Sequence, residues 1–328
     1  MTVHGDSSGV DAFLKEWRSP DTAFIEAHTS GSTGTPKRIM LAKSDMTVSA
    51  RATNKFFCIT SRSTMLMPLS HDYIAGKMMI VRAELAGCDL YVEKPSMTPI
   101  SDEPYPAVFD LVPVVPAQLH HLLSSPRYPS MVRNLLIGGG AIPAEVERAV
   151  IDAGFNAYAS YGMTETCSHV ALRKLGCNVY TAMPGIVFSV DKDNSLTIQS
   201  HDYSWKSLQT NDVVDLIDNR TFIWRGRRDF VINSGGVKLY PEEIERKIES
   251  VMNTPFYITS TPDSVWGEAV TLVYEKVSGK VVSDKELMEA CRPLLSRYEL
   301  PKIVIAVDVI DRTSSGKLIR SRNIIRTC

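Results

Sequence analysis

Short apolar runs alternate along this chain with stretches of helical periodicity. Ala23-Phe24-Ile25 reads as a strand, and almost no apolar side chain follows it between His28 and Lys37. A helix is predicted from Ser44-Asp45 to about Phe57, where a polar start precedes apolar positions at helical spacing. Thr64-Met65-Leu66-Met67 reads as a buried strand stopped by Pro68, Ala75 to Ala86 as a helix, and Leu90-Tyr91-Val92 as a strand. The same alternation continues through a strand at 110–115, a helix from Pro116 to Leu123 and a strand at 134–137 ending in Gly138-Gly139-Gly140. A helix from Pro143 to Ala153 and a strand at 156–160 complete the series. Strands alternating with helices imply an α/β fold with a largely parallel sheet, whose ligands sit beyond the carboxyl ends of the strands.

From about Val179 to Trp224 the texture changes to short strands and polar turns such as Asp191-Lys192-Asp193-Asn194, which predicts a β-rich subdomain. Beyond Asp229 come a helix from Pro241 to Met252, strands near Tyr257 and at 270–273, a helix from Asp284 to Leu295 and a strand at 302–309. That stretch is long enough to form a separate α+β unit. The expected division is a large domain at 1–228 and a small one at 229–328.

Composition narrows the classes of function. The chain is 44% apolar and 22% charged, with a net charge of −1 and no basic face, which argues against a nucleic-acid partner. No apolar run approaches the length that spans a bilayer, so membrane insertion is not expected. The N-terminal segment carries Asp6, Asp11 and Glu16 and lacks the apolar core of a secretory leader. Of the six cysteines, none forms a Cys-x-x-Cys pair, which indicates neither a zinc site nor a disulfide framework. Cytoplasmic residence follows as the expectation.

The segment His28-Thr29-Ser30-Gly31-Ser32-Thr33-Gly34-Thr35-Pro36-Lys37 has the chemistry of a phosphate cradle. Its glycines let the backbone bring N–H groups near an anion, its hydroxyls add donors, and Lys37 adds a compact charge. The spacing is not that of the Walker A loop. Three further motifs follow in order. They are Tyr161-Gly162-Met163-Thr164-Glu165-Thr166, then Gly226-Arg227-Arg228-Asp229 leading into Ser234-Gly235-Gly236 and Tyr240-Pro241-Glu242-Glu243-Ile244-Glu245, and last Arg312-Thr313-Ser314-Ser315-Gly316-Lys317.

Together these motifs resemble those of the adenylate-forming enzymes: acyl-CoA synthetases, peptide-synthetase adenylation domains and luciferases. The resemblance runs from about Ala27 to the C-terminus. It implies ATP, Mg²⁺ and CoA as reactants and cofactor, and two half-reactions through an acyl-adenylate. It assigns the β- and γ-phosphates to Thr29, Ser30, Gly31, Ser32, Thr33, Gly34 and Lys37, and the adenine side to Gly138, Gly139, Gly140, Tyr161 and Gly162. It gives Thr164 an α-phosphate oxygen, Glu165 the Mg²⁺, Asp212 and Arg227 the ribose, and Lys317 the bridging of carboxylate and phosphate. Asp229 falls at the family's hinge, about which a mobile C-terminal lid turns to present Ser234, Gly235 and Gly236 to the pantetheine arm of CoA. Asn211 stands where the family usually has glycine and is expected to keep a left-handed backbone.

The segment from Met67 to Arg82 resembles the acyl-pocket segment of o-succinylbenzoate–CoA ligases of menaquinone synthesis, with Tyr73 at the gate and Arg82 facing a second carboxylate. Ser168 and His169 are expected to line the same pocket. The alternatives are a ligase for another aromatic or short-chain acid, an enzyme loading a carrier protein, and an inactive nucleotide-binding regulator. Family members carry a much longer segment before the phosphate loop, and a homo-oligomer formed across the face this leaves is one expectation.

Overall fold

A computed structural model describes residues 1–28, 37–101, 104–276, 284–312 and 318–321. The chain opens with β1 (Thr2–Gly5) and α1 (Ser8–Arg18), neither of them predicted, although Val10, Phe13, Leu14 and Trp17 of α1 stand at helical spacing. β2 (Phe24–His28) and β3 (Arg38–Ala42) pair antiparallel across the phosphate-loop segment, whose residues 29–36 lie outside the described ones. Then come α2 (Lys43–Phe56), β4 (Thr64–Met67), α3 (Ile74–Ala86) and β5 (Asp89–Val92). They are followed by β6 (Val112–Val114), α4 (Leu119–Leu122), α5 (Tyr128–Met131), β7 (Leu135–Ile137), α6 (Ala144–Asp152) and β8 (Ala157–Gly162).

The expected parallel sheet is present. β1, β5 and β4 pair parallel, and β6, β7 and β8 pair parallel. A parallel bridge from Met65 to Leu111 joins the two sets, with Leu66 N–H donating to Leu111 O at 3.1 Å and Asp110 N–H to Thr64 O at 2.7 Å. The central strands bury nearly every residue, as strands covered on both faces must. α3 is apolar almost all round for the same reason, and it ends on Gly87 in the left-handed conformation.

At β8 the sheet changes character. β9 (His169–Lys174), β10 (Val179–Ala182), β11 (Ile186–Val190), β12 (Ser195–Ser200), β13 (Ser207–Asp218) and β14 (Thr221–Arg227) continue it antiparallel, in the order β11-β12-β13-β14-β10-β9-β8-β7-β6. The predicted β-rich stretch is therefore an extension of the parallel half, sharing one core with it. The Asp191–Asn194 turn forms as expected, with Asp191 Oδ1 accepting the Asp193 and Ser195 N–H groups and Asn194 at φ +60°. Asn211, by contrast, lies inside β13 and is not among the residues with positive φ, so the expected left-handed backbone is absent there.

The remaining residues build a second sheet. β15 (Ile232–Ser234) and β16 (Val237–Leu239) form a hairpin on Gly235 and Gly236, both at positive φ, as a two-residue turn requires. α7 (Pro241–Ile248), β17 (Phe256–Asp263), β18 (Gly267–Glu275), α8 (Asp284–Cys291) and β19 (Ile303–Val307) follow, with β18 central between β17 and β19. α8 stops at Cys291, four residues before the expected end at Leu295. Ile232, Ile244, Ile258, Val270 and Leu272 centre a core of their own.

The two sheets meet where α7 packs on β14. A Cβ on Gly226 would stand 2.5 Å from Glu242 Oε2, so this glycine makes room for the Glu242 carboxyl group. Arg225 Nη1 donates to Glu243 at 2.5 Å, and Glu249 Oε2 accepts the Ala144 N–H at the start of α6, 2.7 Å away. Among the described residues no helix is long and apolar enough to cross a membrane.

Glu242 gives this seam a pH dependence. Its Oε2 is buried with no hydrogen-bond partner among the described residues, and burial pushes its pKa from 4.5 up to about 7. Arg320 opposes the rise and Glu245 adds to it. A folded pKa above the unfolded one stabilises below the unfolded value and is lost as pH climbs through the folded one. Stability should therefore fall between about pH 4.5 and 7 by roughly 3 kcal/mol on account of this group. In urea titrations over that range Glu242→Gln is expected to remove that part of the slope.

Candidate functional site

Two of the predicted ligand segments directly follow parallel strands. β7 runs into Gly138-Gly139-Gly140 and β8 into Tyr161-Gly162. Gly138 is demanded by packing, since a Cβ there would stand 2.6 Å from Ser160 Oγ, and Gly139 by its φ of +84°. Gly140 is exposed and has only Pro116 near its missing side chain.

The segment after β8 reverses direction at once. Gly162 packs against the Ser168 carbonyl and the His169 Cα, 2.7 Å from the position of a Cβ, so no side chain fits there. Thr164–Thr166 makes a single 3₁₀ turn. Buried Thr166 ties it shut: its Oγ1 accepts the Met163 N–H at 3.0 Å and donates to Ser168 O at 2.7 Å. Cys167, fully buried, pays for the reversal with φ +63°, a strained value for a side chain with a Cβ. Thr164 is half-buried and Glu165 exposed. Glu165 makes no hydrogen bond or ion pair among the described residues, which leaves both carboxylate oxygens available to a hard cation such as Mg²⁺.

Asp212 and Arg227, distant in sequence from this turn, are brought together as cross-strand partners of β13 and β14. Asp212 Oδ2 accepts the Tyr161 hydroxyl at 2.7 Å, and its Oδ1 accepts the Trp224 indole N–H at 3.1 Å. Burial first, then the Asp212 charge, push the Tyr161 phenol well above its ordinary range. The Tyr161 ring packs edge-on against Tyr180 and Phe222. Arg227 turns toward Asp229, donating at 2.9 Å, and Asn211 donates to the same carboxylate at 3.3 Å. Beside them a cleft of about 450 Å³ is lined by Arg228, Asp229, Asn233, Lys238 and Tyr240. In the β15–β16 turn Ser234 is buried, Gly235 lies against the Trp266 ring and Gly236 faces open space. Of the residues assigned to the β- and γ-phosphates only Lys37 is described, and it is exposed; Thr29, Ser30, Gly31, Ser32, Thr33 and Gly34 lie outside the described residues, as does Lys317.

Arg82 is not on the surface of α3. It is 2% exposed, with Nη2 donating to Ser168 Oγ at 2.5 Å and Nη1 to Met79 Sδ at 3.5 Å. Its Nε has no partner among the described residues. Burial pulls the guanidinium down to about 10, opposed only by Tyr203, so it stays charged at neutral pH with no carboxylate paired to it among the described residues. His169 is buried as well, and burial first, then Arg82, hold its pKa well below the ordinary range. Tyr73 stands apart, 58% exposed at the N-cap of α3, about 13 Å along the helix axis from Arg82.

Sequence reading missed Trp224 and Thr53. Thr53 was legible in part, because it occupies the stripe that Met46, Ala50 and Phe57 bury. Nothing in the sequence signals the Trp224–Asp212 bond, which depends on the register of β13 with β14.

The mixed α/β sheet is that of AMP-forming acyl-CoA synthetases of known structure. The chain belongs to the AMP-binding enzyme family, whose model matches residues 4–192. It is 26% identical to the 2-succinylbenzoate–CoA ligase of Geobacillus sp. (strain WCH70), over 94% of this chain and 70% of that protein. It is 31% identical to the solved acyl-CoA synthetase (AMP-forming)/AMP-acid ligase II-like protein of Dyadobacter fermentans, covering 95% of this chain and 91% of that one, with a TM-score of 0.62. The o-succinylbenzoate coenzyme A synthetase of Bacillus subtilis, solved with ATP and a magnesium ion, shares the fold at a TM-score of 0.77 and 22% identity, over 90% of this chain and 68% of that one.

Tyr161→Phe removes the donor on Asp212 Oδ2 and keeps the ring in place. It is expected to lower the unfolding free energy by about 1.5 kcal/mol or more, since the lost bond is to a charged acceptor; urea unfolding measures it.

Proposed function

We propose that this chain is a cytoplasmic AMP-forming acid–CoA ligase and that its acid is o-succinylbenzoate. The observation that carries the ligase reading is the convergence of Tyr161, Asp212 and Arg227 beside the Thr164–Glu165 turn, at the strand ends where an α/β sheet binds ligands. In this reading the acid's carboxylate attacks the α-phosphorus of ATP and pyrophosphate leaves. The CoA thiol then attacks the acyl carbon and AMP leaves.

Asp212 takes the ribose hydroxyls on a carboxylate already oriented by Tyr161 and Trp224. Thr164 donates to an α-phosphate oxygen, and Gly138 to Gly140 and Gly162 border the adenine. Thr29 to Gly34 and Lys37 hold the β- and γ-phosphates. Mg²⁺ on Glu165 would neutralise phosphate charge when bound. Lys317 donates to the carboxylate and phosphate oxygens as charge develops. Residues 229–328 act as a lid turning at Asp229, after which the Ser234-Gly235-Gly236 turn faces the pantetheine arm.

Arg82 supports a dianionic acid. A buried guanidinium without a carboxylate partner is costly unless a ligand supplies the missing charge. The Geobacillus relative, whose named substrate is 2-succinylbenzoate, agrees with that choice.

Mass spectrometry of reactions containing ATP, Mg²⁺, CoA and one acid tests this directly. A thioester is expected with o-succinylbenzoate and not with benzoate or short fatty acids. AMP and pyrophosphate released only with some other acid would overturn the substrate. No AMP from any acid would overturn the ligase. Lys317→Ala is expected to slow adenylation about a hundredfold or more while ATP binding persists.

A further inference from the structure

A chain of hydrogen bonds runs inward from Arg82 and allows one polarity only. A guanidinium donates and cannot accept, so Ser168 Oγ is the acceptor for Arg82 Nη2 at 2.5 Å. At the far end Thr53 Oγ1 lies 3.0 Å from Ser49 O, and a carbonyl accepts and cannot donate, so the Thr53 hydrogen is spent there. His169 lies between them, with Nδ1 3.2 Å from Ser168 Oγ and Nε2 3.1 Å from Thr53 Oγ1. Thr53 has no hydrogen left and must accept, so Nε2 carries the proton. Nδ1 is then the acceptor, and the Ser168 hydroxyl donates to it. An imidazolium would set a second donor against Ser168 and strand the serine hydrogen. Burial of the ring beside a cation agrees with the neutral form.

We infer that Thr53 is a positioning residue for the acid-binding end of the site, holding His169 as the neutral Nε2–H tautomer and so turning the Ser168 hydroxyl inward. The Arg82 guanidinium is thereby fixed through Ser168, and its donors not used there are left for the acid. Thr53 reaches this role from α2, with His169 and Ser168 between it and Arg82. The positioning role rests on the proposed acid–CoA ligase reading; the tautomer does not.

Nitrogen NMR of histidine-labelled protein tests both parts, with the His169 signals assigned by their loss in His169→Gln. Wild type is expected to show neutral Nε2–H across about pH 5 to 8. Thr53→Val keeps the shape and removes the acceptor, and it is expected to move the proton to Nδ1. It should also raise KM for the acid roughly tenfold and leave KM for ATP unchanged. Thr53→Ser retains the hydroxyl and should restore both, which separates the effect from misfolding. An Nδ1–H or charged His169 in wild type would overturn the inference. So would a shifted tautomer in Thr53→Val with an unchanged KM for the acid. Failure of wild type to adenylate any acid would instead sink the ligase reading and with it the positioning role, leaving the tautomer to be decided by the NMR signal alone.

Discussion

The reversal between β8 and β9 is the constraint on which the site depends. β8 is the last parallel strand and β9 the first antiparallel one, so the chain must turn back within a few residues. Gly162 admits the close approach, Thr166 bonds the turn shut, and Cys167 absorbs the strain. This single turn sets Thr164 and Glu165 on its outer side and delivers Ser168 and His169 to the buried side. The exposed Glu165 and the buried His169 are thus held by one piece of backbone, and a change in its geometry would reach both.

The buried side is organised around a cation that has no ion pair among the described residues. Arg82 gains a hydroxyl and a thioether where it would have water in solution. That exchange is unfavourable by itself and is tolerated because α2, α3 and β9 are otherwise well packed against one another. Asn54, which donates to the Arg82 carbonyl at 2.9 Å, ties α2 to α3 beside this charge. The cluster is polar in an otherwise apolar setting.

The second sheet is joined to the first by contacts of a different kind. Its core is separate, and the seam at β14 and α7 is made of carboxylates: Glu242 against Gly226, Glu243 on Arg225 and Glu249 on the start of α6. Such a seam responds to protonation through Glu242.

Much of this was readable from the chain. Apolar period and punctuation located most of the helices and strands, and the order of the glycine-rich motifs pointed to the strand ends, because those features depend on neighbours close in sequence. The short β1 and the apolar runs of β3 and β9 were not read as strands. The sequence by itself, through the resemblance its motifs carry, singled out Tyr161, Thr164, Glu165, Asp212 and Arg227 as candidates. Only the tertiary structure decided how they are held. Tyr161 meets Asp212 because β8 and β13 lie in one sheet, Arg82 is a buried charge because α3 is covered all round, and His169 has its tautomer because α2 brings Thr53 to it. Hydrogen-bond partners far apart along the chain are fixed by packing and register, and a local pattern carries no record of either.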